Sequence, residues 1–122
     1  MTTISRRKKP KTKAPLPTSV QVGGRVYSVS KCLNKLNAQR LASGSYMMGY
    51  TNNRTLEIVV DPELAPMMRK ETLLHEVLHA IADVSGLSQI DSPDEENFIE
   101  SVDSALLQVI RDNPALLAYL CG

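Results

Sequence analysis

The alternation of apolar and polar residues predicts two β-hairpins in the first half of the chain. The paired strands are expected at residues 20–22 with 26–29 and at residues 46–50 with 55–60. Gly23-Gly24 suits the first turn, and the polar cluster at residues 51–54 suits the second. Asp61-Pro62 ends the last strand, because proline has no amide hydrogen to donate to a sheet.

Helical periodicity then replaces the strand pattern. Helices are expected at residues 33–42, 66–84 and 92–111, with a short terminal one from residue 114. Gly44 and Gly86 follow the first two helices as stop signals. Ser92 and Glu95 form a capping box at the start of the third, with proline at its first helical position. Strands and helices in this order predict an α+β fold class.

The charges divide the chain into a basic tail and a mildly acidic remainder. Residues 1–13 carry six basic groups and no acidic one, which leaves eight basic and thirteen acidic groups, a formal −5, for residues 14–122. The tail also contains Pro10, and Pro15 and Pro17 follow it, with almost nothing apolar to bury. We therefore expect residues 1–18 to be a disordered basic tail and residues 19–122 to form one domain.

The remaining composition bounds the compartment. With 43% hydrophobic and 22% charged residues the chain has an ordinary globular composition. Cys32 and Cys121 are far apart and form no CxxC pair, so no disulfide scaffold is implied. No apolar stretch follows the basic residues as in a secretory signal, and no run is long enough to span a membrane. We expect a cytoplasmic protein without membrane contact.

Residues 75–79 read His-Glu-Val-Leu-His, an HExxH sequence inside the second predicted helix. Residues four apart on a helix are neighbours on one face, so His75 and His79 can bind one zinc ion at about 2.0–2.1 Å. Glu76 lies about 100° further round the axis, beside the metal, where a general base belongs. The plain alternative is two ordinary histidines next to a solvated glutamate. The surrounding residues are apolar round most of the helix, which predicts that this polar arc faces a cleft or a partner.

A catalytic zinc site needs a third protein ligand, and the chain has no third histidine. The acidic start of the last long helix is the obvious source. Glu95 is expected to be occupied by the capping box, which leaves Glu96 free to bind the metal. The choice between Glu96 and Glu95 stays open, since acidic residues in a first helical turn are commonly solvated and favoured by the helix dipole.

The HExxH sequence, followed seventeen residues after His79 by Glu96 in an acidic helix, resembles the gluzincin branch of zincin metallopeptidases. Within that branch residues 55–113 are most similar to small phage-encoded and ImmA/IrrE-type zincin-like proteins. The spacing of Glu96, Ile99 and Glu100 fits the ligand pattern of those families, although some members have alanine where this chain has Ile99.

The resemblance implies a minimal zincin-like fold, in which a small antiparallel or mixed sheet packs on the HExxH helix and a second helix carries the ligand glutamate. It implies a peptidase that hydrolyses peptide bonds with a zinc-activated water and Glu76 as general base. A peptide substrate would pair with an edge strand, for which residues 55–60 are the candidate. Asp83 or Glu100 could orient a ligand imidazole, and an ordinary surface acid is an equal alternative for each. Tyr46 or Tyr50 could stabilise the oxyanion, but their spacing does not identify either as the donor. A phage-encoded protein of this kind would act in the host cytoplasm.

Another class of function remains open. The zinc could be structural in a non-enzymatic module that binds nucleic acid or a protein partner through its basic tail. Residues 6–13 would then contact phosphates weakly, with release of counterions, although a solubilising tail is the favoured explanation of these residues. A protein that keeps the fold without activity is a third reading. Retention of Glu76 favours the enzyme, since a structural metal needs no base.

Overall fold

The computed structural model describes residues 14–86 and 95–122, except for the side chains of residues 95–101 and 103. The elements in chain order are β1 (Ser19–Val22), β2 (Arg25–Ser30), α1 (Leu33–Ser43), β3 (Gly49–Asn52), β4 (Glu57–Val60), α2 (Pro66–Val84), α3 (Glu95–Asp112) and α4 (Pro114–Cys121). The described chain is therefore an α+β fold. Among these residues no helix combines the length and the apolar character needed to cross a membrane.

Both predicted hairpins are present, and together they form one mixed sheet. The strand order is β1-β2-β4-β3, with antiparallel pairing inside each hairpin and parallel pairing of β2 with β4 between them. Gly23 begins the first turn at a φ of 62°, a conformation that glycine adopts without a steric penalty. The chain passes from β2 through α1 before it returns to the sheet, as parallel pairing requires.

The second hairpin turns two residues later than the sequence suggests. Thr51 and Asn52 belong to β3, where they pair with Ile58 and Glu57. The Asn52 side chain accepts hydrogen bonds from the amides of Arg54 and Thr55, at 2.9 and 3.1 Å. Such a turn around an asparagine side chain places the reversal after residue 52.

The prediction of residues 55–60 as the edge strand is wrong. β4 lies between β2 and β3, because its second edge pairs in parallel with β2. In the described part of the sheet the strand next to the HExxH helix at the edge is β3. Any peptide that extends the sheet there would have to pair with β3.

The hydrophobic core lies between the sheet and α2. Ile58 and Val60 of β4 belong to one buried cluster with Leu73 and Val77 of α2. Val59 points to the other face, as the period of two requires, and α1 contacts β4 on that side with Leu36 fully buried. Two helical layers therefore enclose the sheet.

The HExxH helix has the predicted limits, Pro66 to Val84, but it is not buried all round. Proline occupies its first turn and Gly86 follows its end at a φ of 78°. Leu74 and Leu78 are each 40% exposed. The sheet covers only the face that carries Leu73, Val77 and their neighbours, which leaves the histidine face of α2 open.

The last two helices meet at Asn113, where the sequence predicts a break. Proline at the first position of α4 suits a new helix start. Within the predicted capping box, residues 92–94 lie outside the described residues. At the other end of the chain, residues 14–18, which the sequence assigns to the tail, contact the domain, since Leu16 packs on the core and the Thr18 carbonyl accepts a hydrogen bond from Val29.

Two ion pairs attach α1 to the ends of β4. Lys35 pairs with Glu57 at 2.7 Å near the start of the strand, and Arg40 pairs with Asp61 at 2.7 Å just after its end. The first pair is partly exposed, whereas the side chains of Arg40 and Asp61 are 12% and 5% exposed. Burial opposes ionisation of Asp61, but hydrogen bonds from the Glu63 amide and from Arg40 outweigh it and hold the pKa of Asp61 below its ordinary value.

Replacing Asp61 should therefore be far more destabilising than replacing Glu57. Asp61→Ala leaves the Arg40 guanidinium buried without its counter-ion, which should lower the free energy of unfolding by about 3–5 kcal/mol. Glu57→Ala, the matched control, should lower it by no more than about 1 kcal/mol, because that pair is solvated. Urea unfolding of both variants gives the comparison.

The pH dependence follows from the lowered pKa of Asp61. The stability that ionised Asp61 contributes is fully present above its pKa in the unfolded chain, about 3.9. It is lost as the pH falls through the lower pKa that Asp61 has in the folded protein. The difference in free energy of unfolding between wild type and Asp61→Ala should be constant above about pH 5 and should become smaller in stronger acid. If Asp61→Ala and Glu57→Ala lowered the free energy of unfolding equally at neutral pH, the buried ion pair would not have the proposed role.

Candidate metal centre

The two histidines of the HExxH sequence converge. His75 and His79 lie one turn apart on the exposed face of α2, and their Nε2 atoms are 3.1 Å apart. The rings meet edge to face, with centroids 4.7 Å apart and planes at 85°. The two Nε2 atoms therefore lie together above the helix, at a separation that a single N–H···N hydrogen bond between the rings also spans.

This arrangement fits a shared metal ion. Two nitrogens bound to one tetrahedral zinc at about 2.0–2.1 Å are separated by roughly 3.3 Å. The observed 3.1 Å is close to that separation, so a small rotation of the rings would admit an ion. Imidazole nitrogen is also a ligand type that zinc prefers.

Glu76 lies at the margin of the histidine face, where α2 meets β3. Its residue is 6% exposed, and its Oε1 accepts a hydrogen bond from the Thr51 hydroxyl of β3 at 2.8 Å. The same hydroxyl lies 3.0 Å from the main-chain carbonyl oxygen of Glu76. The carboxylate is thus held between the helix and β3, at the flank of the His75 and His79 pair.

Gly49 allows β3 to come this close to α2. A Cβ atom on Gly49 would lie 2.7 Å from the Val59 carbonyl oxygen and 2.9 Å from Cγ2 of Thr72. It would also lie 3.6 Å from Cγ of Glu76. Any side chain at this position would push the strand and the helix apart, which would lengthen the Thr51–Glu76 contact.

A cleft runs along β3 on both sides of Glu76. One part, about 400 Å³, has methionine walls, and the other, about 310 Å³, contains both histidines. His75, Glu76, Gly49 and Met47 line both parts. His75 and the buried carboxylate therefore line both parts of the cleft, and His79 lines the smaller part.

The two tyrosines proposed for the oxyanion occupy different surroundings. Tyr50 lines the part of the cleft that holds both histidines, and burial raises the pKa of its hydroxyl, with the negative charge of Glu57 adding to the effect. Tyr50 pairs with Val59, however, so its side chain projects to the α1 face of the sheet, and the expectation of an oxyanion role gains no support. Tyr46 is 80% exposed at the methionine end, and the Arg40 guanidinium lies 4.1 Å from its ring centre.

Asp83 has a partner on β2. Its Oδ2 accepts a hydrogen bond from Arg25 at 2.7 Å, and Arg25 also contacts the Tyr27 hydroxyl at 3.0 Å. The pair ties the end of α2 to the first hairpin. A role for Asp83 in orienting a histidine stays a prediction.

The third ligand cannot be assigned from the described side chains. Glu96, Glu95 and Glu100 belong to the first turns of α3, whose side chains lie outside the described residues. Among the residues that the structure describes, no third histidine, cysteine or acidic side chain joins the two imidazoles in a metal-binding group. Glu96 therefore remains the predicted ligand, and the helix that carries it, α3, contacts α2.

Thr51 and Gly49 are the two site residues that the sequence interpretation missed. Gly49 did carry a signal, because an isolated glycine in a strand pattern indicates a close backbone approach. Thr51 carried none, since it reaches Glu76 across 25 positions of sequence.

Comparisons with protein-family models, with curated proteins and with solved structures found no match to this chain. The candidate metal centre therefore rests on the HExxH sequence and on the geometry of α2 and β3.

Zinc content of single variants tests the ligand set. Chain purified without chelator should hold about one zinc ion, and His75→Ala or His79→Ala should lose it, because one imidazole fewer leaves too few ligands. Glu96→Ala should weaken zinc binding much more than Glu95→Ala, whose main effect should be about 1 kcal/mol of lost helix capping. Metal analysis after dialysis against graded chelator measures both.

The same two glutamate variants decide which carboxylate is the third zinc ligand. If Glu95→Ala loses zinc and Glu96→Ala retains it, Glu95 is the ligand. Wild-type protein that takes up no zinc even after reconstitution would refute the metal centre itself.

Proposed function

We propose that this protein is a zinc-dependent peptidase, with His75, His79 and Glu96 as metal ligands and Glu76 as the general base. The observation that carries the proposal is the convergence of the two Nε2 atoms, 3.1 Å apart, beside a buried carboxylate in a common cleft. A structural metal site would need the histidines but not the carboxylate.

Zinc bound at this point would supply Lewis-acid activation of water and of a carbonyl group. The chain itself supplies the proton acceptor. Thr51 holds Oε1 of Glu76, and among the described residues no hydrogen bond reaches Oε2. Oε2 is thus the oxygen that would take a proton from the attacking water, and later return it to the leaving amine.

Substrate binding would use the second edge of β3, which pairs with no strand among the described residues. One edge of this strand pairs with β4, and Gly49, Tyr50 and Thr51 line the cleft on the other side. A peptide that adds to that edge would gain main-chain hydrogen bonds and lie across the histidine pair. Tyr50 cannot be the oxyanion donor in this arrangement, because it pairs with Val59 and projects to the opposite face of the sheet, toward α1.

The opposite edge of the sheet is blocked. The Asn113 side chain accepts a hydrogen bond from the Gln21 amide at 2.7 Å and donates one to the Gln21 carbonyl at 2.8 Å. This side chain thereby occupies the β1 backbone that another strand would use. Within the part of the chain that the structure describes, the edge beside His75 and Glu76 is therefore the one left for a peptide.

The rival proposal, a non-enzymatic zinc module that binds nucleic acid or a protein through its basic tail, depends on residues 6–13. Those residues lie outside the described part of the chain. No observation on the described residues favours this proposal, and deletion of the basic tail tests it.

Glu76→Gln separates enzyme from binding module. The amide oxygen can still accept the Thr51 hydrogen bond, so fold and zinc content should stay nearly unchanged. The amide cannot accept a proton, so peptide hydrolysis should fall about 10²–10⁴-fold. Zinc-loaded wild type and variant should be compared on a fluorogenic peptide library, with thermal unfolding to verify the fold.

Deletion of residues 1–13 is the matched control. It should leave hydrolysis of a small peptide unchanged while removing any salt-dependent affinity for nucleic acid. Full activity in Glu76→Gln would show that the assigned base is wrong. Tail-dependent binding without cleavage of any peptide would favour the binding module.

A further inference from the structure

Thr51 makes a contact with Glu76 that packing alone does not require. Its hydroxyl oxygen lies 2.8 Å from the carboxylate Oε1 and 3.0 Å from the main-chain oxygen of the same residue. A hydroxyl has one proton, so the two acceptors share it. Because both acceptors belong to Glu76, the contact fixes the side chain relative to its own backbone.

The strand delivers this hydroxyl through its register. Thr51 and Gly49 are two residues apart and therefore project to the same face of β3, the face toward α2. Gly49 has no side chain and lets the strand approach Thr72 and Glu76, and Thr51 then reaches the carboxylate. A valine at position 51 would pack almost as well but would leave Glu76 without this donor.

We propose that Thr51 is a positioning residue that holds the Glu76 carboxylate so that Oε2 is presented to the cleft. The inference rests on the proposed peptidase function of the same site. Thr51 acts through Glu76 and does not touch the reacting atoms. It also lies on the strand expected to pair with the substrate, so the base and the peptide are aligned by one element.

The test compares Thr51→Val, which removes the hydroxyl at similar volume, with Thr51→Ser, which keeps it. In the zinc-loaded full chain, Thr51→Val should lower kcat about tenfold, since a misaligned base loses part of its 10²–10⁴-fold contribution. KM and zinc content should stay unchanged. Thr51→Ser should retain kcat to within about twofold.

A double variant distinguishes positioning from a merely structural role. In the Glu76→Gln background there is no base left to position, so Thr51→Val should cause no further fall in kcat. An equal fall in both backgrounds would overturn the proposal, as would full kcat in Thr51→Val or equal losses in the valine and serine variants.

Crystal structures of wild type and Thr51→Val give a readout that does not depend on activity. The Glu76 carboxylate should move from its wild-type position in the valine variant, and an unmoved carboxylate would overturn the proposal. A wild-type chain that cuts no peptide would refute the proposed function, while the crystal comparison would still decide whether Thr51 positions Glu76.

Discussion

The close approach of β3 to α2 is the constraint on which the candidate site depends. At Gly49 the strand and the helix are too close for a side chain, and two residues later the Thr51 hydroxyl bonds to Glu76. That contact turns the carboxylate toward the sheet while His75 and His79 remain on the open face of the helix. The same approach forms the floor of the cleft, so strand position, base orientation and substrate space are coupled.

The segment before β3 is held by the Arg40–Asp61 pair. Arg40 Nε donates to the Met47 carbonyl at 2.9 Å, and the Asp61 amide donates to the Met48 carbonyl at 2.9 Å. Both methionines line the wider part of the cleft. The two residues of this buried ion pair therefore also hold one wall of the site.

Local signals predicted the elements, and long-range contacts decided their arrangement. Pro66 and Gly86 are nearest-neighbour signals, and they gave the limits of α2. The sequence interpretation placed β4 at the edge of the sheet, where β3 lies. This was missed because the parallel pairing of β2 with β4 produces no pattern in the local sequence. The convergence of His75 with His79 was predictable from helical geometry, whereas the partner of Glu76 lies on a strand 25 residues away.

X-ray absorption spectroscopy at the zinc edge of the purified chain tests the central claim most directly. The account predicts one ion bound by two imidazoles and by oxygen, with all nearest ligands at about 2.0–2.2 Å. His75→Ala should remove an imidazole from that shell or empty the site. A shell dominated by sulfur at about 2.3 Å would place the metal on Cys32 or Cys121, and it would contradict the assignment of the HExxH helix as the metal centre.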